Sequence, residues 1–182
     1  MKVMSLDISS STIGWSIINI NKKMSFPKLK KYGHIKPSKK GDLCERALDG
    51  RNKYIEILKK EKPDAVIVED YASKFSRGKS SARTIIVLAV FNEMIKMSTV
   101  ETINFNPISY PVATIRSVIS KEFSEDVSDK SDVLSFCKKK FSNYKTVLNR
   151  VNNIKKECYD ECDSIIVGVC HYVKLKNNNK SK

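Results

Sequence analysis

The run ECYDECDSIIVGVCHYV at residues 157–173 constrains this chain more than any other feature. At about 100° per residue, Cys162, Ile165, Ile166, Val169 and Val173 form one apolar stripe, so the run reads as a helix packed against a core. Asp160, Asp163 and His171 share another direction, well away from that stripe. Such a helix holds two carboxylates one turn apart and aims them away from its packing face. Acids in a helix's first turns are also favoured by the helix dipole, by about 0.3–1 kcal/mol each, so the pair alone proves nothing. Glu161 reads as a solvated acid, and His171 as either a site residue or a cap on the fold.

Two further carboxylates give the pair its meaning. The strand pattern MKVMSL ends in Asp7, and the buried pattern DAVIV ends in Glu69. Side chains alternate along a strand, so Glu69 and its neighbour Asp70 point to opposite faces and only one of them turns easily toward a shared site. Four carboxylates from three separated elements suit hard cations, which take oxygen ligands and need several acids converging from different directions.

The order of elements carries a resemblance. A strand ending in Asp7 is followed by the hydroxyl-rich turn SSST, then by Gly14 and the strand GWSIINI; a later strand ends in Glu69; a helix bearing D-x-x-D and then His171 closes the chain. This ordered set resembles the RNase H-like superfamily and, within it, RuvC-type Holliday junction resolvases of bacteria and phages. The stretch DKSDVLSFCKKKF resembles that family's lysine-led helix, with Lys130 in the lysine position. Ser9 and Asp70 depart from the glycine and glutamine that the family often carries there. The resemblance implies an α/β fold, an RNase H-like mixed sheet flanked by helices. It implies Asp7, Glu69, Asp160 and Asp163 as metal ligands and catalytic residues, with Lys130 near the scissile phosphate. It also implies two Mg²⁺ ions, for which Mn²⁺ substitutes, and an aromatic in the loop after Glu69, either Tyr71 or Phe75, at the junction centre. Arg77, Arg116 and Lys121 are general phosphate-binding candidates.

Composition agrees. The 182 residues carry 34 basic against 20 acidic side chains, a net charge of +14, which favours an anionic partner such as nucleic acid. The longest apolar stretch, residues 85–91, is shorter than the roughly 20 residues a bilayer requires, and Asp7 interrupts any signal-peptide pattern. An intracellular location is expected. The five cysteines show no C-x-x-C pair and read as small buried hydrophobes rather than zinc ligands or disulfides.

Residues 1–175 read as one domain and 176–182 as a basic, disordered tail. Strands are expected at 2–8, 14–20, 31–36, 65–69 and about 99–105. Helices are expected from Asp42, acting as a cap, to before Pro63, from about Ser81 to Met97, from Pro111 to Ile119, and from Lys130 to Phe141. Residues 70–79 read as a loop, and 142–156 as a polar, mobile connection. The functional expectation is a homodimeric, Mg²⁺-dependent endonuclease that resolves four-way or branched DNA, with the apolar helix at 81–97 as the dimer surface. The alternatives are an RNase H-like nuclease of other specificity and a non-catalytic basic DNA-binding protein on the same scaffold. An actin-like ATPase needs two such domains and glycine-rich phosphate loops, and this chain has one copy and six glycines.

Overall fold

The computed structural model describes residues 1–21, 23–70 and 81–178. Strands β1 (Lys2–Ile8), β2 (Ile13–Asn19), β3 (Lys28–Ile35), β4 (Ala65–Asp70) and β5 (Ile108–Pro111) form one sheet in the order β3-β2-β1-β4-β5. The first three strands run antiparallel, and β1, β4 and β5 run parallel. The mixed α/β sheet expected from the sequence is therefore present, with helices on both faces.

Alternation along the strands divides the core. Met4, Leu6, Ile13, Ile17, Val66 and Val68 pack against α1 (Leu43–Glu61) and α2 (Ala82–Ile103). Val3, Ile18, Ala65 and Ile67 face α3 (Val112–Phe123), α4 (Lys130–Lys140) and α5 (Glu157–Asn178). Asp7 shares the parity of Val3 and Ser5, and Glu69 that of Ala65 and Ile67. Both acids therefore stand on the α5 side of the sheet.

Helix α5 lies unusually close to β1 and β2, through small residues on both surfaces. A Cβ on Gly14 would fall 2.1 Å from the Asp160 carbonyl oxygen, and one on Gly168 would fall 2.5 Å from Ile18 Cδ1 and 2.7 Å from Ser5 Oγ. Between these points the Ser5 and Ser16 hydroxyls share a 2.6 Å hydrogen bond, and Ser16 Oγ donates to the Ser164 carbonyl at 3.3 Å. The helix is buried almost all round from Glu161 to Val173, rather than along one stripe.

Asp42 caps α1 in a reciprocal capping box with Glu45, as its spacing suggested, and α1 ends at Glu61. Other boundaries differ. The strand expected near 99–105 is the last turn of α2 followed by coil: Ser98 and Thr99 donate their hydroxyls to the carbonyls of Met94 and Ile95, and Asn104 in left-handed conformation ends the helix. The fifth strand lies later, at Ile108–Pro111, and Pro111 caps α3 from outside its first turn. The connection at 142–156 contains a hydrogen-bonded turn closed by a Leu148–Ile154 bridge. Helix α5 runs to Asn178, three residues into the segment read as a tail. Four cysteines are buried and Cys44 is exposed, all as free thiols. No helix among the described residues is long and apolar enough to cross a membrane.

The close seat of α5 has a measurable consequence. At Gly14 the obstacle is backbone, which yields little, whereas at Gly168 it is the end of Ile18 and a serine hydroxyl, and alanine there also gains helix propensity. Gly14→Ala is expected to lower unfolding free energy by about 1–3 kcal/mol, as overpacking does, and Gly168→Ala by less. Urea denaturation of the two variants checks the order; equal or reversed effects would contradict it.

Candidate metal centre

The C-terminal ends of β1 and β4 and the first turns of α5 meet at one pole of the sheet. The strand register sets Asp7 beside Gly14, and the Cβ-free surface of Gly14 admits the backbone of Asp160. As a result, one carboxylate oxygen from each of Asp7, Asp160 and Asp163 lies within 4.8 Å of the other two. Glu69 stands outside that trio but lines the same cleft, a space of about 360 Å³ bordered by Asp7, Ser9, Ser11, Glu69, Asp70, Lys130 and Asp160. Of the four acids singled out in the sequence, Asp7, Glu69 and Asp160 line this cleft, and Asp163 adjoins it through its closeness to Asp7 and Asp160.

Asp70 also borders the cleft, but strand alternation sets it on the opposite face of β4 from Glu69, and its carboxylate sits 3.6 Å from Lys96 Nζ on α2. His171 is buried two turns beyond Asp163, with Nδ1 2.9 Å from the Tyr110 hydroxyl, and burial lowers its pKa. It ties α5 to β5 rather than joining the acidic trio. Glu161 is a correction: it is buried, not solvated, and accepts a 2.7 Å contact from His34 Nδ1 on β3. Burial raises its pKa, against the opposing pull of His34. The signal was present in the sequence only in combination, since Gly14 pairs with His34 and also touches the first turn of α5.

Two cations face the acids. Lys130, the first residue of α4, extends Nζ to 3.1 Å from Asp160 Oδ1 and 3.4 Å from Asp163 Oδ2. Asp129 holds that helix start in place by capping it through Ser131 N and Asp132 N. Burial alone would lower the Lys130 pKa, but the charges of Asp163 and Asp160 outweigh it and hold the ammonium well above its usual value. Arg116 on α3 brings Nη2 to 3.9 Å from Asp163 Oδ1 and donates Nη1 to the Val127 carbonyl. Lys121 is exposed in the last turn of α3, beyond Arg116. Tyr71, Phe75 and Arg77 lie outside the described residues. Ser9 and Ser11, which sequence reasoning treated only as a turn, border the cleft.

Among the described residues, two cations against four carboxylates leave the site short of positive charge. Burial, followed by the charges of Glu69, Asp163 and Asp160, raises the Asp7 carboxyl well above its usual range. Burial, followed by the charge of Asp163, pushes Glu69 up to about 7, although Arg116 and Lys130 pull it down. Asp163 is raised by burial against the same two cations. Its Oδ1 is buried and has no hydrogen-bond partner among the described residues. An orphaned carboxylate oxygen in an all-oxygen cluster, with no cysteine or histidine among its members, fits a hard divalent cation such as Mg²⁺ or Mn²⁺.

Solved structures share the fold. A structure of Thermus thermophilus RuvC matches over 98% of this chain and 97% of its own, with a TM-score of 0.72 and 14% identity. T. thermophilus RuvC in complex with a Holliday junction substrate matches over 97% and 96%, with a TM-score of 0.69 and 14% identity. The yeast mitochondrial Holliday junction resolvase Ydc2 matches over 98% and 83%, with a TM-score of 0.67 and 12% identity. No protein-family model and no curated protein sequence matches the chain. The chain therefore has the RNase H-like fold of RuvC-type resolvases, and at these identities the likeness establishes the fold alone.

The proton-holding acids give the metal-free protein a pH signature. Between about 4.5 and about 7, folded Glu69 keeps a proton that the unfolded chain has released, so stability falls as pH rises through that window. In EDTA, the melting temperature is expected to decline from pH 4.5 to 7, and Glu69→Gln to flatten part of that decline. Thermal melts across that range check this; a wild-type profile that rises with pH would contradict it.

Proposed function

We propose that this protein is a divalent-metal-dependent endonuclease that resolves four-way or branched DNA junctions. The observation that carries the reading is the convergence of Asp7, Asp160 and Asp163 within 4.8 Å at the mouth of a cleft that Glu69 also lines. Support comes from the fold shared with RuvC and Ydc2, and from a net charge of +14 around an acidic centre. A basic surface holds phosphates by releasing their counterions, while an acidic pocket repels phosphate unless cations fill it.

Asp7, Glu69, Asp160 and Asp163 would hold the ions, Mg²⁺ or Mn²⁺. When bound, the ions supply activation of water and bracing of the attacking and leaving oxygens during in-line displacement. The protein's own groups prepare that site. Asp7 is fixed by its strand and Asp163 by burial, so little reorganisation remains at the moment of reaction. Arg116 offsets the charge of Asp163 from behind, anchored to the Val127 carbonyl. Lys130, whose side chain is 57% exposed, reaches over the cleft from a capped helix start and is placed to meet a phosphate once the carboxylates have other partners.

Resolution of a four-way junction needs two opposed incisions, and one chain holds one cleft. A second copy related by two-fold symmetry supplies the other. The reading assigns the contact to α2, where Ile86, Met97 and Val100 are exposed and fall within about 60° of one another around the helix.

The test is incubation with an end-labelled immobile four-way junction, a linear duplex and an RNA–DNA hybrid, with Mg²⁺ or with EDTA. Cleavage of the junction at paired positions, dependent on Mg²⁺ or Mn²⁺, is expected. Asp7→Asn, Glu69→Gln and Asp163→Asn should each slow it by about 100-fold or more, the equivalent of several kcal/mol of transition-state stabilisation, while junction binding persists. Full activity in EDTA, or wild-type rates for Asp7→Asn, would overturn the metal site. Cutting confined to the hybrid would replace junction resolution with an RNase H-type specificity.

A further inference from the structure

The segment joining α4 to α5 carries a feature that the catalytic cleft does not use. Residues 147–153 are exposed without a break, and they include Val147, Leu148 and Val151 at 52%, 50% and 71% exposure. Val151 is the most exposed large apolar side chain among the described residues. Single exposed hydrophobes are ordinary, but three within five residues on one turn are not.

The turn is built rather than slack. Leu148 pairs with Ile154, Lys155 N donates to the Val147 carbonyl at 2.9 Å, and Asn149 N donates to the Asn153 carbonyl at 2.8 Å. Asn149 Oδ1 accepts from both Val151 N and Asn153 N at 3.0 Å, and Asn152 takes the left-handed conformation that the reversal needs. The stem is tied to the catalytic helix: Val147 N lies 3.3 Å from Cys158 Sγ, the Tyr144 hydroxyl donates to the Cys158 carbonyl at 2.9 Å, and Ile154 packs on the core. Cys158 is two residues before Asp160. From Lys155 to Asp160 is five residues, so their Cα atoms are at most about 18 Å apart, roughly five base-pair steps.

The surroundings are cationic. Between Asp132 and Glu157 the chain has seven lysines and arginines and no acid, among them Arg150 at the turn and Lys145, Lys155 and Lys156 at its base. An apolar tip on a basic, acid-free stretch of chain matches a nucleic acid, whose phosphates meet the cations and whose unstacked bases meet the tip. Apolar wedges between base steps act in this way in other DNA-binding proteins. An anionic membrane shares this chemistry, but the turn's tie to α5 two residues before Asp160 favours the nucleic acid that the cleft would cut.

The geometry points to residues 147–153 as a wedge that enters the branch point of a DNA junction, with Val151 and Leu148 against unpaired bases and Arg150 on the adjoining phosphate. This rests on the junction-resolving reading above. The wedge is a positioning element. It holds the branch open at a fixed distance from Asp160, and so sets which phosphodiester reaches the cleft.

The test uses the full chain and a four-way junction carrying 2-aminopurine beside the branch point, with Ca²⁺ for the binding measurement and Mg²⁺ for cleavage. Wild type is expected to raise the emission severalfold as the base unstacks, but not when the label sits in the middle of an arm. The double variant Leu148→Ser with Val151→Ser should lose that rise and cut the junction about 10-fold more slowly, the equivalent of one stacked contact, with affinity within about threefold. Val151→Met, which keeps an apolar tip, should retain the signal and exclude a folding defect. A double variant with wild-type emission and cleavage overturns the wedge alone, and so does one whose only change is its sedimentation. A wild type that leaves the junction uncut overturns the nuclease reading and the wedge with it.

Discussion

The close seat of α5 on β1 and β2 determines the rest of the molecule. It depends on side chains that are nearly absent: Gly14 and Ser16 on the sheet, Ser164 and Gly168 on the helix, with Ser5 between them. A larger residue at Gly14 would press on the Asp160 backbone and lift the helix from the sheet. The lift would cost packing, and it would also draw Asp160 and Asp163 away from Asp7, whose place is fixed by its strand. The polar atoms that close packing traps here find partners in one another, as the Ser5–Ser16 and Ser16–Ser164 contacts show, so the seam carries no unpaired hydroxyl. Packing and electrostatics are therefore opposed. The same approach that buries apolar surface also buries carboxylates and brings them near one another, and the raised pKa of Asp7, Glu69 and Asp163, due first to burial, is where that cost appears.

Much of this was legible in the sequence because it follows from periodicity. Strand alternation separates Glu69 from Asp70: both border the cleft, but the Asp70 carboxylate is paired with Lys96 on α2. The D-x-x-D spacing puts Asp160 and Asp163 one turn apart. What stayed hidden depends on partners remote in the chain. Glu161 looked solvated because nothing local reveals that His34, 127 residues away, stands beside it. The end of α2 looked like a strand because Thr99, Val100, Thr102 and Ile103 are β-branched. In the fold, Tyr54 hydrogen-bonds Thr99 and Arg51 hydrogen-bonds Ser98, so contacts with α1 override local preference. The four-residue strand Ile108–Pro111 is too short to show a pattern at all.

The charge distribution explains how a strongly basic protein can have an acidic working centre. On the proposed reading, the cations at 138–156 and elsewhere would draw in a polyanion over long range, while the four carboxylates would keep it from settling into the cleft without compensation. In the metal-free protein that compensation comes from protons and from Lys130, whose ammonium rests between Asp160 and Asp163. On that reading, Asp7, Asp160 and Asp163 would hold a divalent ion through these oxygens, and the Lys130 ammonium would be available to a phosphate.

The central claim is that these carboxylates form a divalent-metal site. Anomalous diffraction from crystals grown with Mn²⁺ tests it most directly. The account requires an ordered ion about 2.1 Å from oxygens of Asp7 and of Asp160 or Asp163, with the Lys130 ammonium withdrawn from both. A cleft without ordered Mn²⁺ at saturating concentration, with Lys130 still paired to Asp160, would contradict it.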